Sequence, residues 1–341
     1  MSSWVMQNHP LVIGETGSMT ANQWAVGVDL GGTKVEVAHV DAEGRVRMRL
    51  RRPTDVRDGP AAVQDEIVAA VRDLQGSGGN SPIAVGVGVA GQIEPSSGVV
   101  RFAPNLDWHD MPLQADLSKS LDLPVTVTND VRAATWGEWL YGAGQGCTDL
   151  VCLFVGTGIG GGVVSGGQML SGCSNTAGEL GHITIDLHGP LCHCGNQGCL
   201  EAEAGSWAIA RRARQAISAD PVAGASLLEM AGGQPEAITA KIVAQAAHAA
   251  NPLARQLIDE VAQALIAGAV SLVNDFNPCR LILGGGVIEG LPELVEKVDK
   301  GVRQSALAAA CSPLQVLPAQ LHNDAGVIGA AALAMRSRRS D

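Results

Sequence analysis

A chain of 341 residues with 46% hydrophobic side chains is long enough for about two domains. Its formal net charge of −11 argues against a general nucleic-acid or membrane-surface binder. Eight cysteines without a signal peptide fit a reducing compartment, where clustered cysteines bind metal rather than form disulfides. No segment is expected to span a membrane, so we expect a cytoplasmic protein with residues 1–23 as a loose extension.

Strand-like and helix-like segments alternate along the chain, which predicts an α/β fold. Apolar or alternating runs predict strands at residues 24–30, 35–40, 83–89, 123–128, 150–155 and 280–283. Apolar residues at helical spacing predict helices at residues 61–74, 131–141, 206–217, 239–250, 252–276 and 325–335.

The first of three glycine clusters is Gly31-Gly32-Thr33-Lys34, directly after the strand that ends in Asp29-Leu30. Its spacing fits neither a Walker loop nor a dinucleotide-binding turn. It fits a hairpin turn whose backbone amides, with the Thr33 hydroxyl and the Lys34 ammonium, receive phosphate oxygens. Asp29 is placed to hold Mg²⁺ through water. An ordinary glycine hairpin with a surface lysine explains this motif, taken alone, equally well.

The other two glycine clusters also follow predicted strands. Gly156-Thr157-Gly158 repeats the strand–glycine–hairpin pattern, and Gly284-Gly285-Gly286 would let a flat ring lie against the backbone. Each cluster is weak evidence alone because glycine turns are common. Their order and spacing together predict two related lobes that face a nucleotide.

Asn129-Asp130 lies where a predicted strand gives way to a helix. The helix N-terminus favours the carboxylate form, so we expect Asp130 to be ionised at neutral pH and able to accept a hydroxyl proton. The alternative is that Asp130 only caps the helix.

Four potential zinc ligands lie within eighteen residues: His182, Cys192, Cys194 and Cys199. Their types and spacing suit one tetrahedral zinc, and a Cys₃His site has no open position, so the zinc would be structural. Buried free thiols are the alternative for these cysteines. They are the better interpretation for the remaining ones, Cys147, Cys152, Cys173, Cys279 and Cys311.

Residues 29–34 and 155–162 together resemble the two phosphate loops of actin-like, hexokinase-like ATPases. Within that superfamily, Glu-x-Gly-His at 179–182 and Cys-x-Cys-Gly-x-x-Gly-Cys-x-Glu at 192–201 are similar to the signature of the ROK family (repressors, open reading frames and sugar kinases). The resemblance extends over nearly the whole chain. It implies a two-lobed fold with ribonuclease-H-like lobes that close on a sugar and ATP.

The resemblance also implies the division of the chain. Residues 24–130 would form an N-terminal α/β lobe, completed by a C-terminal helix at 322–341. Residues 131–321 would form a C-terminal α/β lobe that carries the structural zinc loop at 179–201.

Site roles follow from the same resemblance. Asp130 would be the catalytic base, and His182 would serve both the zinc and the sugar. The residues expected to bind sugar are Gly91, Asn105, Asn129, Asp130, Glu179, His182 and Glu201. Those expected to hold ATP and Mg²⁺ are Asp29, Gly31, Gly32, Thr33, Lys34, Gly156, Thr157, Gly158, Gly284, Gly285 and Gly286.

The implied activity is an ATP-dependent kinase for the 6-hydroxyl of a hexose. Glucose is the expected hexose, because residues 101–108 resemble bacterial glucokinases of the family. An N-acetylmannosamine kinase is a close alternative, and polyphosphate is an alternative donor. A sugar-responsive regulator is less favoured, since the 28 residues before Asp29 are neither basic nor helical in pattern. The expected partners are the hexose, ATP and a second copy of the chain in a homodimer or higher homo-oligomer, with no nucleic acid or membrane.

Overall fold

The computed structural model describes residues 23–54, 56–77 and 81–337. The loose extension predicted for residues 1–23 therefore falls, apart from residue 23, outside the described part of the chain, as do residues 338–341 of the predicted C-terminal helix.

The first half of the chain folds around a five-stranded sheet in the order β3-β2-β1-β4-β8. Strand β2 pairs antiparallel with β1 and β3, whereas β1, β4 and β8 are parallel. A separate three-stranded sheet, β5-β6-β7, is inserted between β4 and α2. The elements are β1 Trp24–Leu30, β2 Lys34–Asp41, β3 Val46–Pro53, α1 Pro60–Ser77, β4 Val85–Val89, β5 Gln92–Ile93, β6 Val100–Ala103, β7 Trp108–Met111, α2 Leu113–Leu121, β8 Val125–Asn129 and α3 Asp130–Tyr141.

The second half folds around another five-stranded sheet, in the order β11-β10-β9-β12-β13. Strands β9, β12 and β13 are parallel, and β10 pairs antiparallel with β9 and β11. The elements are β9 Leu150–Val155, β10 Ile159–Ser165, β11 Gln168–Met169, α4 Leu200–Ala204, α5 Ser206–Ala219, α6 Pro221–Met230, α7 Ala240–His248, α8 Pro252–Phe276, β12 Arg280–Gly284, α9 Gly286–Gly290, α10 Glu293–Ser305, α11 Ala308–Cys311, β13 Gln315–Pro318 and α12 Ala325–Ser337.

The C-terminal helix α12 packs back onto the first sheet and onto α3. Small residues make this possible: a Cβ on Gly86 of β4 would lie 1.8 Å from the carbonyl oxygen of Ala330. Likewise, a Cβ on Gly329 would lie 1.6 Å from the carbonyl oxygen of Ala133. Backbones this close leave no room for a side chain, so the alanine- and glycine-rich sequence of α12 fits its position.

Each sheet has its own apolar core. One cluster of buried side chains comes from residues 24–127 and the largest comes from residues 151–314. Helix α8 belongs to the second core. By length and composition alone α8 is long and apolar enough to cross a membrane. However, 56% of its apolar window is buried inside the protein, as expected for a core helix.

Sequence periodicity predicted the long elements well. β1, β9 and α8 have the predicted bounds, and the remaining predicted strands and helices differ at their ends by a few residues. The small sheet β5-β6-β7, the helices α2, α6 and α10 and the strand β13 were not predicted. The strands among these elements are short, and α6 has no clear amphipathic pattern. Helices α2 and α10 do carry apolar residues at helical spacing, Leu113, Leu117 and Leu121 in α2 and Leu294, Val298 and Val302 in α10, so their period was overlooked.

Candidate functional site

The parallel strands of the first sheet bring several predicted site residues to one edge. Leu30 lies opposite Val89, and Val89 lies opposite Asn129, so β1, β4 and β8 end at the same level. The first glycine turn, Gly91 and Asn129-Asp130 follow these ends directly. Side chains at the carboxyl edge of parallel strands are the usual material of binding sites in α/β folds.

The second sheet does the same for the other two glycine clusters. Gly284 lies opposite Phe154, so residues 156–158 and 284–286 leave neighbouring strand ends side by side. Gly285 has φ +88°, and a Cβ there would lie 2.5 Å from the carbonyl oxygen of Val155. Only glycine tolerates both conditions, which explains this position of the third cluster.

Asn129, rather than Asp130, caps helix α3. The Asn129 Oδ1 accepts the backbone N–H groups of Val131 (3.0 Å) and Arg132 (3.1 Å). Its Nδ2 donates to the Gly91 carbonyl at 3.2 Å, tying the end of β8 to the residues after β4. Asp130 is the first residue of the helix. The capping role, which we considered for Asp130, therefore belongs to its neighbour.

Burial dominates the electrostatics of Asp130. It raises the pKa of Asp130 above the ordinary range of aspartate, although neighbouring backbone N–H groups and Asn129 act to lower it. The helix N-terminus acts in the expected direction, because the backbone N–H groups of Val131 and Asp130 lower the pKa of Asp130, but burial outweighs them and the net shift is upward. Desolvation of a buried carboxylate outweighs the half-charge of a helix end.

Other carboxylates surround Asp130. Burial, with a further contribution from the charge of Asp130, raises the pKa of Asp29 to about 6, while Lys34 acts to lower it. Burial also raises the pKa of Glu179. The charges of Asp130 and Glu201 raise this pKa further, whereas that of His182 lowers it. Concentrated negative charge with few cations is the environment that a divalent cation or a hydroxyl-rich ligand would relieve.

Three of the predicted sugar-binding residues line one cavity between the two sheets: Gly91, Asn129 and Glu179. Asn105 lies in a short 3₁₀ turn, Pro104–Leu106, between β6 and β7. A Cβ on Gly32 would lie 2.5 Å from the Asn105 carbonyl oxygen, so this turn contacts the first glycine turn directly. The unpredicted small sheet thus brings Asn105 next to the first glycine turn.

Both glycine hairpins use part of their backbone internally. The Gly31 N–H donates to the Lys34 carbonyl at 3.0 Å, and the Gly156 N–H donates to the Gly158 carbonyl at 2.9 Å. Within the described part of the chain, the amides without a protein partner in the two turns are those of Gly32, Thr33, Thr157 and Gly158. These amides, not those of Gly31 and Gly156, are available to an anion.

A cavity of about 610 Å³ opens beside the second glycine turn. This volume lies within the usual range for small-molecule sites. Of the predicted nucleotide residues it includes Gly156, Thr157 and Gly286, whereas the first turn, Gly158, Gly284 and Gly285 are not in its lining. Sequence reasoning missed the rest of the lining, which includes Ser206, Thr239, Lys241, Gln245, His248 and Glu289. These residues come from three helices, α5, α7 with its N-cap, and α9, and no local motif joins them.

His182, Cys192, Cys194 and Cys199 converge as their spacing predicted. Their ligand atoms all lie within 4.8 Å of one another. The Cys194 and Cys199 Sγ atoms are 3.7 Å apart, as are Cys192 Sγ and His182 Nδ1. A tetrahedron with metal–ligand bonds of about 2.0–2.3 Å has edges of about 3.5–3.8 Å, so the donor set fits Zn²⁺.

The other five cysteines lie outside this cluster. Cys147, Cys152 and Cys311 are buried as expected, but Cys173 and Cys279 are exposed, so the buried-thiol interpretation was wrong for these two.

Glu201, the second residue of α4, lies between this cluster and the second glycine turn. Its Oε2 accepts the Ile159 backbone N–H at 2.9 Å, and its Oε1 is 3.9 Å from Cys192 Sγ. One carboxylate oxygen is therefore already engaged by the backbone, a contact that the sequence did not indicate.

Arg132 is a further residue that sequence reasoning missed. It is 8% exposed, and its guanidinium donates to the carbonyl oxygens of Leu170 (2.8 Å) and Ala177 (3.2 Å) and to the Ser171 hydroxyl (3.0 Å). Arg132 thus ties α3 to the loop that leads into Glu179.

Fold and site together define an α/β protein with two five-stranded sheets, glycine turns and carboxylates at the ends of their strands, and a Cys₃His group. The family model described as "ROK family" matches residues 25–337, and the chain belongs to this family. The predicted family and fold are confirmed.

Three relatives illustrate the similarity. The crystal structure of a ROK family glucokinase from Streptomyces griseus in complex with glucose and AMPPNP is 38% identical, with a TM-score of 0.79 over 92% of this chain and 99% of that one. A glucokinase of Streptomyces coelicolor is 37% identical over 310 residues, covering 91% of this chain and 96% of the relative. An N-acetylmannosamine kinase of Escherichia coli O157:H7 is 33% identical over 318 residues, covering 90% and 97%.

Proposed function

We propose that the protein is an ATP-dependent glucokinase, which transfers the γ-phosphoryl group of ATP to the 6-hydroxyl of glucose. The observation that carries the proposal is Asp130, a buried carboxylate directly after β8, whose charge interacts with that of Asp29 just before the first glycine turn. Both glycine turns keep backbone amides free for phosphate oxygens. The similarity to glucokinases over nearly the whole chain supports it.

In this reaction Asp130 accepts the proton of the sugar 6-hydroxyl while that oxygen forms a bond to the γ-phosphorus. The bond between the γ-phosphorus and the β–γ bridging oxygen breaks, and ADP leaves. Phosphoryl transfer needs positioning and charge neutralisation more than covalent help. The free amides of Gly32, Thr33, Thr157 and Gly158, with Lys34, would hold the phosphates. Asp29 would hold Mg²⁺ through water, which neutralises phosphate charge when bound.

We assign the sugar to Gly91, Asn105, Asn129, Glu179, His182 and Glu201, together with Asp130. His182 turns its Nδ1 to the cysteine cluster, which leaves Nε2 for a sugar hydroxyl. Zinc bound there would be structural, because three sulfurs and one nitrogen complete a tetrahedron. It would stiffen the segment that carries Glu179, His182 and Glu201.

The charge of the 610 Å³ cavity supports a nucleotide over polyphosphate as donor. Among the described residues that line the cavity, Lys241 is the one lysine or arginine, and the negative charge of Glu289 in the same lining offsets its positive charge. A polyphosphate chain needs cations along its length, whereas a nucleoside needs a largely neutral pocket with a few polar groups.

The two sheets would be the cores of two lobes, residues 24–130 with the C-terminal helix and residues 131–321, which close on the substrates and exclude water. We further place the enzyme in the cytoplasm as a homodimer, as the family resemblance implies.

A coupled kinase assay tests the function. Glucose, mannose, fructose, N-acetylglucosamine and N-acetylmannosamine would each be offered with ATP and with polyphosphate, and Asp130→Asn would be the inactive control. The highest kcat/KM is expected for glucose with ATP. A higher kcat/KM for N-acetylmannosamine would instead favour the second candidate, which the relatedness to such kinases supports. No phosphoryl transfer to any hexose would refute the proposal.

A further inference from the structure

Helix α4 joins the Cys₃His group to the second glycine turn within a few residues. Cys199 immediately precedes the helix, and Glu201 lies in its first turn. At the other end, the Ser206 N–H donates to the Gly156 carbonyl at 3.0 Å. The glycine turn is thus held by Glu201 within α4 and by Ser206 just after it.

The contact between Glu201 and the turn is close and specific. A Cβ on Gly158 would lie 2.2 Å from Glu201 Oε2, so glycine there lets the carboxylate reach the Ile159 N–H. Ile159 is 3% exposed, and water has little access to replace this acceptor. A buried amide that loses its partner costs more free energy than an ordinary hydrogen bond contributes.

We propose that Glu201 is a positioning residue for the phosphate donor, in addition to its assigned contact with the sugar. Its Oε2 fixes the Ile159 amide, so that the neighbouring amides of Thr157 and Gly158 stay in place for the donor phosphates. Its other oxygen faces the Cys₃His side. One side chain therefore links the sugar-binding segment to the nucleotide turn. This inference rests on the proposed kinase function.

Two variants separate the hydrogen-bond acceptor of the Glu201 side chain from its negative charge. Glu201→Gln and Glu201→Met both remove the negative charge and nearly keep the length of the side chain, but only glutamine offers Ile159 an oxygen. The affinity for AMPPNP with Mg²⁺ is measured by titration calorimetry without sugar, so that lost sugar contacts do not contribute. We expect E201M to bind the nucleotide about five- to tenfold more weakly than E201Q.

Glu203 provides the matched control on the same helix. It is buried and paired with Arg212, without a hydrogen bond to the glycine turn. Glu203→Gln and Glu203→Met are expected to bind AMPPNP with affinities within twofold of each other. Amide hydrogen exchange at Ile159 gives a second readout, and exchange is expected to be faster in E201M than in E201Q. If E201M does not fold, Glu201→Ala replaces it in the comparison.

Equal AMPPNP affinities of E201Q and E201M would overturn the inference. It would also be overturned if the two Glu203 variants differed in AMPPNP affinity as much as the two Glu201 variants do. Wild-type protein that phosphorylates glucose while E201Q and E201M bind AMPPNP alike would leave the kinase function standing. Wild-type protein that binds no AMPPNP and phosphorylates no hexose would instead refute both.

Discussion

Replacing Arg132 with methionine tests how the loop before Glu179 is held. Methionine has nearly the length of arginine but no donor, so the variant removes three hydrogen bonds, to Leu170, Ala177 and Ser171. Hydrogen bonds that involve a charged group contribute about 1.5–3 kcal/mol each, but the loop oxygens regain water once the loop loosens. We therefore expect the free energy of unfolding to fall by about 2–4 kcal/mol, well below the sum.

The functional consequence should be confined to the sugar. A displaced loop misplaces Glu179, and we expect KM for glucose to rise about tenfold while KM for ATP stays within about twofold. Urea unfolding gives the stability, and steady-state kinetics gives both KM values.

Arg280→Met is the matched control for Arg132→Met. Arg280 donates to the carbonyls of Ala143 (2.6 Å) and Gln145 (2.8 Å), at the start of β12 and away from the glycine turns. The Arg280→Met variant should lose a comparable free energy of unfolding without a change in KM for glucose. If Arg132→Met raises both KM values equally, or changes neither while losing stability as the control does, the positioning argument fails.

Three further outcomes are expected. Asp130→Asn should still bind glucose but lose about 10²- to 10⁴-fold in kcat, and near-normal turnover would contradict its role as base. In the wild type, kcat should fall with acid at a pH above the ordinary range of aspartate pKa values, because burial raises the pKa of Asp130. The pKa of Asp29 is raised from 3.8 to about 6 in the folded protein, so its ionised form lowers the free energy of unfolding above pH 6, and this loss disappears as the pH falls to 3.8. Asp29→Asn should therefore stabilise the ligand-free protein at pH 7–8 by on the order of 2 kcal/mol. Thermal melts should show no gain below about pH 4. Elemental analysis should find about one zinc per chain. Cys194→Ser should lose the metal and lower the Tm. Cys173 is an exposed thiol outside the cluster, so Cys173→Ser should change neither the zinc content nor the Tm.

Local features of the sequence predicted much of this molecule. The Cys₃His group forms within one short segment, so spacing alone indicated it correctly. The glycine turns were equally readable, because each follows a buried strand whose apolar run is unmistakable. Long helices such as α8 carry enough turns for their period to show.

Contacts distant in sequence were not predictable in the same way. Arg132 meets its loop partners 38 to 45 residues further along, and Glu201 meets Ile159 across 42 residues. Neither pair has a spacing that a single sequence reveals. The side walls of the nucleotide-sized cavity are also assembled only by the packing of α5, α7 and α9 against the second glycine turn. Tertiary packing, not local propensity, decides such contacts.

The pair Asn129-Asp130 shows how local and tertiary effects divide the work at the site. A helix start needs one side chain to accept its first amides, and Asn129 meets this need while its amide also fixes Gly91. Asp130 is thereby not required as the cap, and its carboxylate lies among Asp29 and Glu179 instead. The same burial that raises its pKa would strengthen it as a proton acceptor once a bound cation restores the ionised form. The order Asn before Asp therefore matters: exchanging the two residues would keep the composition but give the cap to the carboxylate that the reaction needs.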